Sequence, residues 1–394
     1  MNNLYRTLSF LLFVLACSTF AYGQQSGKSF VDGVFTYRII DSDGVELVKC
    51  DKKAEGDLLL PQQLTIEGRP FVVKAVGDFA FADCEDVARI TLPASLRTIG
   101  YKAFYGCRNL SAINIPDKVT SIGVEAFNYC TGLTRLVIPA SVSEIGDGAF
   151  WHNWALKSIV VDVANKDYVD VNGVLFSKNW TRLIAYPAGK TEQSFSLPAN
   201  TTTIGAGAFS NCKDLVSVVL PKDLVEIRRY AFQECNRLVS ISIPKSIDVI
   251  ESGTFSGCSS LRQVTMPKKM KRIGNHAFEN CSSLANIVIP DGVDEIGNRA
   301  FAGCTELKNV SLPRTLTEIG EEAFAECDLL TSIHLFGTKP PKVGANAFVQ
   351  KVFEKSTLYV KYYAVDAYKH AEDWTNFQFI YRERATYRPY GTNY

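Results

Sequence analysis

The sequence has almost no charge imbalance: 42 lysines and arginines stand against 41 aspartates and glutamates in 394 residues. Such balance leaves no electrostatic footprint for a nucleic acid or an anionic bilayer. Histidine is scarce, at positions 152, 276, 334 and 370. None of the four forms an H-E-x-x-H pair or stands in a hydrolase motif beside serine or cysteine. There is no C-x-x-C pair, and cysteines in a line do not surround an ion tetrahedrally. Glycine-rich phosphate loops are missing too. Beyond the start of the chain, no apolar run is long enough to cross a bilayer. These gaps predict a chain that is not an enzyme, with no cofactor, metal, nucleic acid or transmembrane span in its mature part.

What the chain has is a period. Cys84, Cys107 and Cys130 stand 23 residues apart, and the same step runs from Cys212 to Cys327. Phenylalanine keeps that step from Phe81 to Phe150 and from Phe209 to Phe324, and a proline column follows it. In the unit Leu110–Phe127, Ile113 and Ile115 share one face of a strand. Pro116 lacks an amide hydrogen and ends the ladder. Val119 and Ile122 point back inward, and Gly123 permits a sharp turn. Ala126, Phe127 and Cys130 have the spacing of one short helical or 3₁₀ turn. Self-similarity at this period predicts a solenoid whose rungs bury their apolar faces against each other, with one long parallel sheet.

The unit F-x-x-C-x-x-L-x-x-I-x-I-P-x-x-V-x-x-I-G-x-x-A-F resembles the BspA-like, or treponemal, leucine-rich repeat, over roughly Gly77 to Phe336. The resemblance implies an α/β repeat that is mostly β, a right-handed leucine-rich repeat solenoid with caps at both ends. It also implies an exported protein, at the cell surface or secreted, that adheres to a host or bacterial surface protein or glycoprotein. It carries over no catalytic residues. Two other functional classes stay open: a structural subunit of a cell-envelope assembly, and a carbohydrate-binding accessory protein.

Taken in order, residues 1–23 read as a signal peptide, with Arg6, an apolar core at Leu8–Ala16 and a small-x-small site at Ala21-Tyr22-Gly23. A rival site before Cys17 resembles a lipoprotein box and would place a lipid anchor there in the outer membrane. Residues 24–75 alternate apolar and polar outside the repeat register and read as an amino-terminal β cap. The solenoid is expected over 76–336. Between Phe150 and Phe209 lie 59 residues, 13 more than two repeats, and Asn172-Gly173 marks a hairpin insertion near 162–197. Asp162, Asp167 and Asp170 in that insertion read as solvated carboxylates, since the glycine of a calcium loop is missing. Residues 337–394 read as a carboxy-terminal cap and tail, with a strand at 357–360, a helix at 364–374 and a last strand at 377–380.

The cysteine column is read as buried free thiols, because cysteine is small and often buried. Disulfides between neighbouring rungs stay open on distance alone. The candidate ligand surface is the outward side of the strands, where Ser240, Ser242, Gln263, Thr265, Asn286, Val288, Asn309 and Ser311 carry no formal charge. A basic rim of Lys268, Lys269, Lys271 and Arg272 joins it. Ten basic side chains against five acidic ones fill residues 221–275, and the balance reverses over 276–330. Arg272 and Glu295, one repeat apart, are expected to pair.

Overall fold

Each rung of the repeat makes two short strands rather than one. A computed structural model describes residues 27–383; the expected leader, Cys17 and the tail beyond Glu383 lie outside the described residues. The described chain forms two compact units, one ending at Phe150 with the addition of residues 161–166, the other holding Trp151–Val160 and everything from Asp167 on.

In the first unit, Phe35–Ile39 and Gly44–Cys50 pair antiparallel around the turn at Asp41–Gly44. Gly44–Cys50 then runs parallel to Arg69–Val76. That strand starts a parallel ladder through Thr98–Ile99, Ser121–Ile122 and Glu144–Ile145. A second parallel ladder joins Gly56–Leu59, Val87–Thr91 and Ala112–Ile113. The amino-terminal strands thus cover the end of the ladder by hydrogen bonding into it, and Ser29–Asp32 becomes the outermost strand there.

The second unit opens with an antiparallel meander of Tyr168–Val171, Val174–Ser177 and Arg182–Ala185. Its first turn is Asn172-Gly173, both at positive φ (52° and 78°), as a two-residue hairpin of right-handed strands demands. Arg182–Ala185 then pairs parallel with Thr203–Ile204, and the repeat resumes. One ladder carries Ser217–Val219, Ser240–Ser242 and Gln263–Thr265; further on, Asn286–Val288, Asn309–Leu312, Ser332–Leu335, Thr357–Val360 and Phe379–Arg382 continue as a sheet. Another carries the two-residue strands Val249–Ile250, Arg272–Ile273, Glu295–Ile296, Glu318–Ile319 and Lys342–Val343. The expected single sheet is therefore two ladders on each coil. The V-x-x-I-G half of the unit was legible as inward-pointing residues, but two residues are too few to show a strand's alternation.

Inside each unit the phenylalanines stack. Phe81, Phe104 and Phe127 lie 5.0 and 5.1 Å apart, nearly parallel. From Phe209 to Phe324 the step is 4.9–5.4 Å. The row extends past the regular phenylalanines at both ends. Tyr186 occupies the slot before Phe209, 5.4 Å away, and its amide donates to the Ala208 carbonyl as that of Phe209 does to Ala231. Phe348 stacks on Phe324 at 5.2 Å, although it comes 24 residues later.

Glycine in the turn answers to close approach. A Cβ on Gly123 would lie 2.5 Å from the carbonyl carbon of Gly100 on the preceding rung, and one on Gly146 2.3 Å from Val124 N. Positive φ falls instead two residues later, at Lys102, Glu125, His276, Arg299 and Glu322. A side chain at Gly123 is therefore opposed, as the repeat predicts, and what opposes it is the backbone of the preceding rung.

The carboxy-terminal cap has the expected strand at Thr357–Val360. The expected helix at 364–374 is shorter, Val365–His370, because Ala371 is extended (φ −81°, ψ 123°) and a 3₁₀ turn follows at Glu372–Trp374. That break lets Trp374 bury itself and donate its indole N–H to Pro341 at 2.9 Å. Among the described residues no helix is long and apolar enough to cross a membrane.

Candidate binding face

The repeat assigns each residue of the longer strands to one of two sides. Ile241, Ile287, Val310 and Ile333 point inward and are buried. Their neighbours point outward in register: Ser240 beside Gln263 and Ser242 beside Thr265, then Asn286 beside Asn309 and Val288 beside Ser311. Ser240, Ser242, Gln263, Thr265 and Asn286 are exposed, and Val288 and Asn309 are half-buried. Asn309 donates its amide to Asn286 Oδ1 at 2.6 Å, so these two side chains are held in a row.

Ser311 departs from the expectation. It is 3% exposed, and His334 on the next rung is 5% exposed. Tyr359 stacks on the His334 ring at 4.7 Å. Glu383 reaches back from the end of the last strand, with its carboxylate 2.6 Å from His334 Nδ1. On the other side of the ring, Nε2 lies 2.9 Å from the Ser332 hydroxyl. Both the His334 and Glu383 side chains are 6% exposed. The carboxylate accepts from Nδ1, and the ring thereby bridges Glu383 to the Ser332 hydroxyl. This hydrogen-bonded chain closes the face at its carboxy-terminal end. Sequence reasoning missed it, because Glu383 stands 49 residues from His334, outside the repeat.

The basic rim lies elsewhere on the coil. Lys268, Lys269 and Lys271 are exposed, on the arc between the two ladders, and Arg272 begins the two-residue strand. Lys271 contacts Asp248 at 2.8 Å and holds that carboxyl below the usual carboxylate range. Arg272 does lie in register with Glu295, as its spacing predicts, but its ion pair, at 4.0 Å, is with Glu251. Rim and strand face therefore flank each other rather than merge, and Lys271 and Arg272 lie beside carboxylates.

Beneath both runs the thiol column. All ten cysteines among the described residues are free and buried. Packing alone does not account for them. Cys130 Sγ donates to the carbonyl of Phe104 on the preceding rung at 3.0 Å, and Cys235, Cys258, Cys281, Cys304 and Cys327 repeat the bond at 3.1–3.2 Å. Burial pushes the thiols of Cys258, Cys281 and Cys304 well up, and that of Cys327 up to about 12. Such thiols are inert toward reagents that need thiolate.

Two parallel ladders per coil, an aromatic row inside and an uncharged strand face outside define a repeat scaffold. A family model for the BspA type leucine-rich repeat region matches residues 64–172, 188–305 and 271–362, in six copies. The chain belongs to that family, whose repeats are consistent with a role in protein interaction. Among solved structures it is similar to a leucine-rich repeat protein from Eubacterium ventriosum, 24% identical over 82% of this chain and 95% of that one, with a TM-score of 0.60. It is also similar to the pneumococcal vaccine antigen PcpA, 19% identical over 91% of this chain and 100% of that one, with a TM-score of 0.58. At such identity the likeness is one of fold. No curated protein matches.

Proposed function

We propose that this protein is exported and binds a macromolecule, a host or bacterial surface protein or glycoprotein, through the open part of its strand face. The observation that carries the reading is the row Ser240, Ser242, Gln263, Thr265 and Asn286: exposed, uncharged and held on a hydrogen-bonded ladder. A flat row of small polar groups loses little conformational entropy on binding, because the ladder has already fixed its backbone. The basic rim beside it raises the rate at which an acidic partner arrives. The antigen among its structural neighbours supports display at the surface. The leucine-rich repeat solenoid is a scaffold, and no reaction step is assigned to it.

The test is a binding screen against immobilised matrix and plasma proteins, with a glycan array beside it. Gln263→Arg with Asn286→Arg places two charges in the row without touching the core. Binding to a hit should fall at least tenfold in this variant. Unchanged affinity, with the fold shown intact, would move the site off the strand face.

One feature favours a glycan as the ligand. On the turn side of the first unit, Phe79 and Tyr101 are exposed with rings 5.1 Å apart, and Tyr105 and Tyr129 continue the edge at 5.6 Å. Exposed aromatic surface of this kind stacks on sugar rings. Signal on the glycan array that is lost in Tyr101→Ala and kept in the Gln263→Arg, Asn286→Arg variant would select this reading.

A further inference from the structure

The thiol column has a different beginning. From Cys107 onward in the first unit, each thiol has a carbonyl that its hydrogen can reach: Cys107 donates to Phe81 and Cys130 to Phe104, at 3.1 and 3.0 Å. The Phe104 carbonyl takes only one other hydrogen, from Cys107 N, so its two lone pairs are matched to two donors. Cys50 and Cys84 instead share a single acceptor. Both thiols point at the Asp51 carbonyl, from 3.6 and 3.8 Å, and Ala54 N already donates to that oxygen at 2.9 Å. Three donors face two lone pairs, and both thiol contacts are long. The shared acceptor makes the two sulfurs neighbours across that one oxygen. The backbones are held close, since Cys50 N donates to Ala80 O at 2.6 Å, four residues before Cys84.

We propose that Cys50 and Cys84 are a disulfide-forming pair, oxidised by exchange with a small-molecule or protein disulfide. The bond links the amino-terminal cap to the first regular rung. In the first step the Cys84 thiolate attacks one sulfur of the incoming disulfide, and that disulfide's other sulfur leaves as a thiolate. In the second the Cys50 thiolate attacks Cys84 Sγ and releases the remaining thiol. Two protein thiols and one disulfide become one protein disulfide and two free thiols, and the two protons end on the released sulfurs.

The order of attack follows from the surroundings. Cys84 is held below the ordinary thiol value, first by the neighbouring Cys50 and then by the Lys52 ammonium, whereas Cys84 and burial push Cys50 up. Lys52 itself is paired with Asp83 at 3.0 Å. Only thiolate attacks, so the lowered thiol goes first. Access runs through the exposed turn that covers the pair: Asp51, Lys52, Lys53 and Glu55 are all exposed, while Cys50 and Cys84 are buried. A one-turn segment with four solvated side chains opens at lower cost than the stacked rungs do. Other thiols of the column also follow one another from rung to rung, as Cys107 and Cys130 do. Their hydrogens are engaged with phenylalanine carbonyls, and they lie under regular rungs without such a turn.

The experiment uses the mature chain, fully reduced and then incubated with excess oxidised glutathione under native conditions. Remaining thiols are alkylated after denaturation and mapped by mass spectrometry. The expected result is loss of two thiols and recovery of a linked Cys50–Cys84 peptide, with the rest alkylated. In Cys50→Ser the second step is blocked, so Cys84 should be recovered as a mixed disulfide with glutathione. Alkylation of every cysteine in the wild-type chain would overturn the proposal. So would a linked pair elsewhere in the column, or an unmodified Cys84 in Cys50→Ser.

Discussion

At Ser242 and Thr265 the outward column of the second unit meets solvent, whereas two and three rungs further on, at Ser311 and His334, the same column is buried. The inward residues of these rungs are alike: Ile241 and Ile333 both face the core, and the phenylalanines behind them stack at the same spacing. The repeat code therefore fixes the coil, and something outside the repeat decides which part of the coil is a surface. Here it is the pair of strands Thr357–Val360 and Phe379–Arg382, which bring Tyr359 and Glu383 over His334. A solenoid's binding face is what its caps leave uncovered.

The largest expected effect tests the first half of that comparison. Phe255 lies under the open part and Phe301 under the covered part; both are fully buried between two stacked rings. Phe255→Ala and Phe301→Ala should each cost about 3–5 kcal/mol, the usual loss for a core phenylalanine. Chemical denaturation of the two variants reads the difference. Costs that differ by more than about 1.5 kcal/mol would break the claim that one core underlies both regions.

The second prediction concerns the cover itself. His334→Ala removes the partner of a buried carboxylate and of the Ser332 hydroxyl, and should cost about 1–3 kcal/mol. Glu383→Gln should cost less, since the amide still offers an oxygen to Nδ1–H. In His334→Ala, amide exchange at Thr357–Val360 should speed up while that at Gln263–Thr265 stays slow. Equal acceleration at both would show that the cover and the open face are one cooperative element.

Thiols give a smaller effect. Cys258→Ala removes a weak donor from the Phe232 carbonyl, which keeps its bond from Cys235 N. The expected cost is about 0.5–1.5 kcal/mol, and Cys304→Ala should match it. On native protein an alkylating reagent should label few of the column cysteines; denaturation without reductant should expose nearly all of them, Cys84 excepted where it is linked to Cys50.

Much of this was legible before the structure. The columns of Phe, Cys, Pro and Gly gave the coil because each is a packing constraint repeated at a fixed step. What was hidden lay where a constraint is met by an unexpected residue or from a distance. Tyr186 fills a phenylalanine slot 23 residues before Phe209, as tyrosine has the same ring. Val343-Gly344 and Ala347-Phe348 repeat the I-G-x-x-A-F signature one residue late, after the Pro340-Pro341 segment, and add another rung. The cysteines looked like small apolar fillers; only coordinates show that the sulfur of one rung meets the phenylalanine carbonyl of the rung before. Of the candidate site, the alternation of outward residues was readable and the burial of Ser311 was not. Alternation is local, while the covering Glu383 is remote in sequence.

The smallest effect on stability, and the sharpest test of the open region, is the basic rim. Lys268, Lys269 and Lys271 are exposed and Arg272 is partly so, and exposed ion pairs such as Lys271–Asp248 contribute little to stability. Changing all four to glutamate should therefore shift the midpoint of denaturation little. The same change reverses the local field, because Asp248 and Glu251 would then face new carboxylates rather than cations. For a partner of acidic character the association rate should drop several-fold at low salt, and wild type and variant should converge as salt rises. Screening beyond about 8–10 Å near physiological ionic strength removes the long-range part of the attraction first. The dissociation rate should change little, since rim charges act on encounter more than on the docked state. If the association rate is unchanged at low salt, the rim has no part in capture. If the dissociation rate rises instead, the rim is itself in contact with the partner, and the binding face extends around the arc from the strands to the second ladder.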